Sequence, residues 1–209
     1  MKEEKINYWL EWARRIQAIG QSGLAFTENQ YDVERYQQLM GIAAEILQEH
    51  TQISKQQSEQ DFKWQKGYAT PKIDVRGAVV RENKILMVQE RVDRKWCLPG
   101  GWADVGDIPS AAAEREVIEE SGFNVKSVKV VGVYDANRDG RELEFYHAFK
   151  IIFLCDIIDG APKTSFETIG VDFFEFDNLP PLSSNRTNHR HLNDVQAHIQ
   201  NPRKKTVFD

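Results

Sequence analysis

Glu116, Glu119 and Glu120 fall at positions i, i+3 and i+4 of the run Pro109 to Ser121, which reads as a helix. On a 3.6-residue helix these carboxylates share one edge, where like charges disfavour each other by a few tenths of a kcal/mol per pair. The run contains no lysine to offset them. Hard divalent cations supply such an offset: magnesium takes oxygen ligands, commonly one or two carboxylates, with water and phosphate completing the octahedron. Just upstream, Leu98, Pro99, Gly100 and Gly101 make a turn whose backbone can approach a ligand without Cβ interference, and Gly101 can add a carbonyl oxygen. Gly101, Glu116, Glu119 and Glu120 are therefore the candidate ligands of Mg2+, or of Mn2+, in a site for metal-bound phosphate. A solvated acidic helix face is the plain alternative.

The frame around these residues favours the metal. Gly101, an acid at Asp107, and then REVIEESGF from Arg115 to Phe123 resemble the Nudix box, written Gly-x5-Glu-x7-Arg-Glu-U-x-Glu-Glu-x-Gly-U with U apolar. Every specified position matches except 107, where Asp stands for Glu. The resemblance extends more loosely over about residues 73 to 181, through WCLPGGW and FFEFDNLPPLS. The N-terminal segment is similar to the helical extension of a bacterial branch of Nudix enzymes acting on X-linked nucleoside diphosphates.

That resemblance implies an α+β fold, a Nudix-type α/β/α sandwich with a mixed sheet, preceded by an N-terminal helical hairpin. It implies metal-dependent hydrolysis of a nucleoside diphosphate linked to a moiety X, giving nucleoside monophosphate and phosphoryl-X, with ADP-ribose and CDP-choline the first substrates to try. Asp107 is implied to pair with Arg115, orienting loop and helix rather than holding metal. Because Asp is one methylene shorter than Glu, the loop must sit closer or a water must intervene. A general base is also needed, and either Glu119 or Glu120 can double in that role. Relatives often use a glutamate from a later loop, which points to Glu167, with Glu142 and Glu144 as rivals. Arg76, Arg91 and Arg138 are candidate phosphate contacts, and Trp96, Trp102 and Tyr134 candidate stacking partners for a base. Trp96 and Trp102 bracket the glycine turn and have the best claim. His189 and His191, two apart on a helix, point away from each other and read as surface residues rather than a metal pair.

The elements that must position these groups follow from periodicity. Pro109 suits a first helical turn, Ser110 is a possible alternative cap, and Gly122 suits the left-handed residue that ends the helix. From Ile73 the pattern is strand: IDVRGAVV, a polar turn at RENK, then ILMVQER, a hairpin. Three further strand-like runs, VKSVKVVGVYDA, FYHAFKIIFLCDII and DFFEF, precede a helical stretch near 188 to 200. Before residue 51 the pattern is helical. Ile6, Trp9, Leu10, Ala13 and Ile16 draw one stripe, punctuated by Gly20 and Gly23. A second helix carries Tyr36, Leu39, Met40, Ala43, Ile46 and Leu47, with Thr27 and Gln30 as a capping box. The polar stretch from Thr51 to Lys72 reads as linker. The expected division is residues 1–66, hairpin and linker, and residues 67–209, the hydrolase domain. The hairpin stripes need cover, and a homodimer would supply it.

Composition bounds the partners. With 41% apolar and 28% charged residues the chain has ordinary globular content, and its net charge of −5 disfavours nucleic acid as the main partner. The two cysteines, Cys97 and Cys155, form no evident disulfide framework. No apolar run reaches the roughly 18 to 20 residues of a membrane span. The chain is therefore expected to be cytoplasmic, with a small nucleotide substrate. Two other function classes stay open: a nucleotide-sensing module that does not hydrolyse, opposed by the three intact glutamates, and action on RNA ends, for which NPRKK is locally basic.

Overall fold

A computed structural model describes residues 8–64, 66–136 and 147–209, which divide into two compact units, the first running to Pro71 and including His147, the second holding the other residues from Lys72 on. In the first unit, α1 (Tyr8–Phe26) and α2 (Gln30–His50) form the helical hairpin, with Leu10 and Ala13 meeting Ala43, Ala44 and Leu47. Ile6, first in the expected stripe, lies outside the described residues. Gly20 and Gly23 do not interrupt α1. They let it approach α2: a Cβ on Gly20 would sit 2.9 Å from Met40 Cγ, and one on Gly23 would sit 2.3 Å from the Tyr36 ring. The α2 cap is Asn29, which accepts from the Tyr31 amide, while Thr27 Oγ1 accepts from the Asn29 amide. The start signal therefore belongs to Asn29 rather than to a Thr27–Gln30 box.

The stretch expected to be linker contains a third helix, α3 (Lys55–Trp64), which adds Phe62 to the cluster of α1 and α2. One buried aromatic in a polar run draws no stripe. Pairs such as Lys55 with Glu59 and Gln57 with Asp61, each one turn apart, support the helix instead.

The second unit opens with the hairpin of β1 (Lys72–Arg81) and β2 (Lys84–Glu90). Its turn residues Glu82 and Asn83 both have positive φ, 52° and 59°, matching the twist that tight hairpins require. There follow β3 (Trp96–Cys97), β4 (Gly100–Trp102), α4 (Pro109–Ser121), β5 (Phe123–Asp135), β6 (Ala148–Gly160), β7 (Thr168–Glu175), α5 (His189–Gln200) and β8 (Val207–Phe208). The sheet runs β3-β2-β1-β6-β5-β8, with β4 beside β1 and β7 beside β2. β1 pairs with β6 and β5 with β8 in parallel, the other pairs are antiparallel, and the sheet is mixed.

Alternation along the strands builds two cores. Val75, Val79 and Leu86 pack with Ala112, Ala113 and Val117 of α4. Ala78, Ile85 and Met87 pack with Leu192 and Val195 of α5 on the opposite face. The result is the α/β/α sandwich. Helix α4 sits very close to its strand, because a Cβ on Gly77 would lie 2.2 Å from Val117 Cγ2. Pro109 occupies the first turn; Ile108, without a side-chain bond, is the cap rather than Ser110. Gly122 ends the helix at φ 79°.

Candidate active site

The glycine turn is laid along β1. Gly100 pairs with Arg76 and Gly101 with Val75, so the residues read as a turn form the short strand β4. Gly100 has φ +144°, and a Cβ there would lie 2.1 Å from the Val75 carbonyl oxygen. Only glycine permits that approach. The turn in turn presents its backbone to α4: the Gly100 amide donates to Glu120 Oε2 at 2.9 Å, and Glu116 Oε2 lies 3.0 Å from where a Gly101 Cβ would be.

The three glutamates experience different surroundings. Glu120 is buried, and burial pushes its carboxyl up to about 7, against the pull of Arg76 and the Gly100 amide. Glu116 is half-buried and also raised, burial again being the main cause. Glu119 is exposed. The expected lack of local compensation is incomplete, because Arg115 serves three acids: it lies 2.9 Å from Glu116, 3.5 Å from Glu119 and 3.1 Å from Asp107. Asp107 Oδ2 also accepts from the Asp104 amide, which closes the loop onto the helix.

These residues suit a hard divalent cation. Among the described residues no three acidic, histidine or cysteine side chains are gathered closely enough to hold a metal ion by themselves. Glu116 and Glu120 instead face the glycine strand from α4, with Glu119 exposed beside them, and the Glu116 oxygen lies against the space a Gly101 side chain would need. Such an open oxygen set matches an ion that completes its shell with water and phosphate.

The remaining predicted residues distribute unevenly. Glu167 is exposed just before β7, in a turn tied to α4: Thr168 Oγ1 donates to the Glu120 carbonyl oxygen at 2.9 Å. Arg91 holds the same turn, its amide donating to the Glu167 carbonyl and its Nε to that of Phe166. Arg76, expected to meet phosphate, is buried instead, with Asp74 at 2.7 Å and the Leu98 carbonyl at 3.1 Å taking its donors. Burial opposes its charge, but Asp74 holds it above its ordinary range. Trp96, expected to line the pocket, packs edge-on against Phe174 in the α5-side core. Tyr134 is buried there too, donating to Asp194. Trp102 is partly exposed, 44%, with Lys72 over its ring. Arg138, Glu142 and Glu144 lie outside the described residues.

His189 is exposed as expected, but His191 is fully buried, where its Nδ1 accepts from the Asn188 amide and its ring lies 4.7 Å from Tyr134. Two apart on a helix, the histidines do point apart, but the expectation that both lie on the surface fails for His191, which α5 turns into the core. Asp74 and Thr168 went unnoticed in the sequence. Asp74 and Arg76, opposite charges two apart on a strand, were the available signal of a same-face pair.

Residues 71–194 match the NUDIX domain family, and residues 7–62 match the family described as a UDP-X-like, N-terminal oligomerisation domain. The chain thus belongs to the Nudix family and is a Nudix pyrophosphatase. It is 41% identical over 201 residues to the Bacillus subtilis protein named "Putative ADP-ribose pyrophosphatase YjhB", covering 96% of this chain and 97% of that one. A solved UDP-X diphosphatase superposes with TM-score 0.62 at 30% identity over 97% of this chain and 98% of its own. An ADP-ribose pyrophosphatase from Streptococcus suis 89-1591 gives TM-score 0.61 at 34% identity, over 67% of this chain and all of its own.

Proposed function

We propose that the protein hydrolyses the diphosphate linkage of a nucleoside diphosphate joined to a second moiety, releasing nucleoside monophosphate and phosphoryl-X with the help of Mg2+ or Mn2+. The single observation that carries this reading is the buried Glu120 carboxylate held by the Gly100 amide at 2.9 Å under the glycine turn, with Glu116 one helical turn away against Gly101. A buried carboxylate with a half-buried one beside it is a costly structural device on its own, and a fitting site for a cation in need of oxygen ligands.

Gly101, Glu116, Glu119 and Glu120 would hold the cation. Once bound, it neutralises phosphate oxygens and acidifies water. Arg115, fixed by Asp107, pairs with Glu116 and Glu119 and restrains both side chains. Glu167 accepts the proton of the attacking water, its turn held to the Glu120 backbone by Thr168 and from outside by Arg91. Trp102, partly exposed beside Gly101, remains available to contact the nucleoside. Arg91, its Nε engaged with the Phe166 carbonyl, would act on substrate through that turn.

ADP-ribose is the first substrate to test, on the strength of the relative similar along almost its whole length, with UDP-sugars next on the strength of the UDP-X diphosphatase fold and CDP-choline third. The N-terminal unit matches an oligomerisation domain, which supports a homodimer. Among the described residues no helix is long and apolar enough to cross a membrane, and both cysteines are buried and free, consistent with a reducing cytoplasm.

The test is a panel of these diphosphates with and without Mg2+, the products identified by mass. Nucleoside monophosphate formed only with metal, and lost in Glu120→Gln, is the expected result. Equal cleavage by Glu120→Gln, or none of any panel member by wild-type protein with metal, overturns the reading.

A further inference from the structure

The glycine turn has few ways to be held in place. Pro99 has no N–H, so residues 98–100 offer two backbone donors. The Gly100 amide goes to Glu120; the Leu98 amide goes to Thr187 Oγ1 at 2.9 Å. The carbonyls of Leu98 and Pro99 anchor the turn to β1, accepting from Arg76 and from the Gly77 amide. One donor thus points to the metal helix and the other to a segment about ninety residues away in sequence.

That segment, residues 183–187, is itself tightly tied. Thr187 is fully buried, and the amides of Arg186 and Thr187 both donate to the Ser183 carbonyl. The Ser183 amide donates to the Trp96 carbonyl, which joins the segment to β3. From below, the fully buried Lys150 donates to the carbonyls of Asn185 and Arg186 while pairing with Asp74 Oδ2 at 3.1 Å, and Asp74 holds Arg76. From the side, Arg186 lies 3.1 Å from Glu90, whose carboxylate accepts from the Cys97 thiol. Each of these contacts fixes the segment, and the Thr187 hydroxyl carries that fixity to the turn.

We infer that residues 183–187 are a platform that sets the glycine turn and through it Glu120, with Thr187 as the positioning residue; the inference rests on the function proposed above. Without the hydroxyl, the buried Leu98 amide has lost its acceptor and must move to find another. The backbone from Leu98 to Gly100 then shifts, displacing Gly101 and the Gly100 amide that orients Glu120. A merely structural threonine would cost stability and leave the cation site as it was.

Titrating Mn2+ into the full-length chain, followed by electron paramagnetic resonance, separates the two. Thr187→Val is expected to weaken Mn2+ binding ~10-fold, the low end of what loss of an outer-shell partner costs. Thr187→Ser, which keeps the acceptor, stays within about two-fold of wild type, and Arg186→Gln gives roughly three-fold weakening. A Thr187→Val protein that binds Mn2+ as wild type does, whatever its melting temperature, overturns the inference. Should Thr187→Val fail to fold, Arg186→Gln decides, and unchanged affinity there overturns it. Wild-type protein that binds no Mn2+ removes this inference together with the proposed function. Wild-type protein that binds Mn2+ but cleaves no diphosphate removes the function alone, and the titrations still decide the positioning role.

Discussion

Arg115 meets Asp107 directly, its NH2 group 3.1 Å from Oδ2, so the loop has drawn in to accommodate the shorter acid without a bridging water. The same guanidinium reaches Glu116 and Glu119, which makes Asp107 the outer member of a chain of charges. Both members of the outer pair are more than a quarter exposed, so the pair contributes about 0.5 to 1 kcal/mol. Asp107→Ala should therefore weaken Mn2+ binding by roughly two- to five-fold, against near-complete loss in Glu120→Ala. Calorimetric titration checks both, and equal losses would show that Asp107 does more than orient Arg115.

Glu120 should make the metal-free protein sensitive to pH in an unusual direction. Its carboxyl is raised from 4.5 to about 7 in the folded state, so folding takes up a proton across that window. A group that binds protons more tightly when folded stabilises at low pH, and that contribution declines as pH rises through about 7. Calorimetry in EDTA should show a melting temperature that falls between pH 5 and pH 7.5. Glu120→Gln should flatten this trend, and Mg2+ should restore wild-type stability at pH 7.5. A trend equally steep in the Gln variant would assign it to other groups.

Gly77 tests how closely α4 must ride on β1. An alanine there would bring its Cβ 2.2 Å from Val117 Cγ2, and overpacking of this kind costs about 1 to 3 kcal/mol. Gly77→Ala should lower the urea midpoint and raise the Mg2+ requirement, since the helix moves with its glutamates. Adding Val117→Ala should recover most of both. Failure of the double variant to recover would mean that the strand, not the helix, yields.

How far the sequence revealed all this depended on the signal each element carried. Helix α4 was legible to its ends, because Pro109 and Gly122 mark them and the box fixes its edge. The long strands were legible from alternation, and β1 and β2 from their turn. β3, β4 and β8, at two or three residues each, are too short for any period to register, so the strand character of Gly100 to Trp102 comes from pairing with β1. Helix α3 was hidden by its polarity. The misplacements of Arg76 and Trp96 have different causes: a guanidinium suits a buried acid as well as a phosphate, and nearness of Trp96 to the glycine turn in sequence says nothing of which sheet face its side chain takes. Asp74 draws Arg76 inward, and Phe174 takes Trp96 to the α5 side.

Glu167 carries the sharpest test of the chemistry. Its turn is built from both sides: Ser165 Oγ accepts from the amides of Glu167 and Thr168, Thr168 Oγ1 donates to the Glu120 backbone, and Arg91 caps the neighbouring carbonyls. Because those contacts are made by neighbours and backbone, Glu167→Gln should fold normally and bind Mn2+ as wild type does. Loss of a general base lowers the chemical step by about 10² to 10⁴, so kcat should fall by that order with KM little changed. Thr168→Val should act differently. It unties the turn from Glu120, and both metal affinity and kcat should decline together. If Glu167→Gln retains more than a tenth of wild-type kcat, the base lies elsewhere, and Glu119 becomes the next variant to measure.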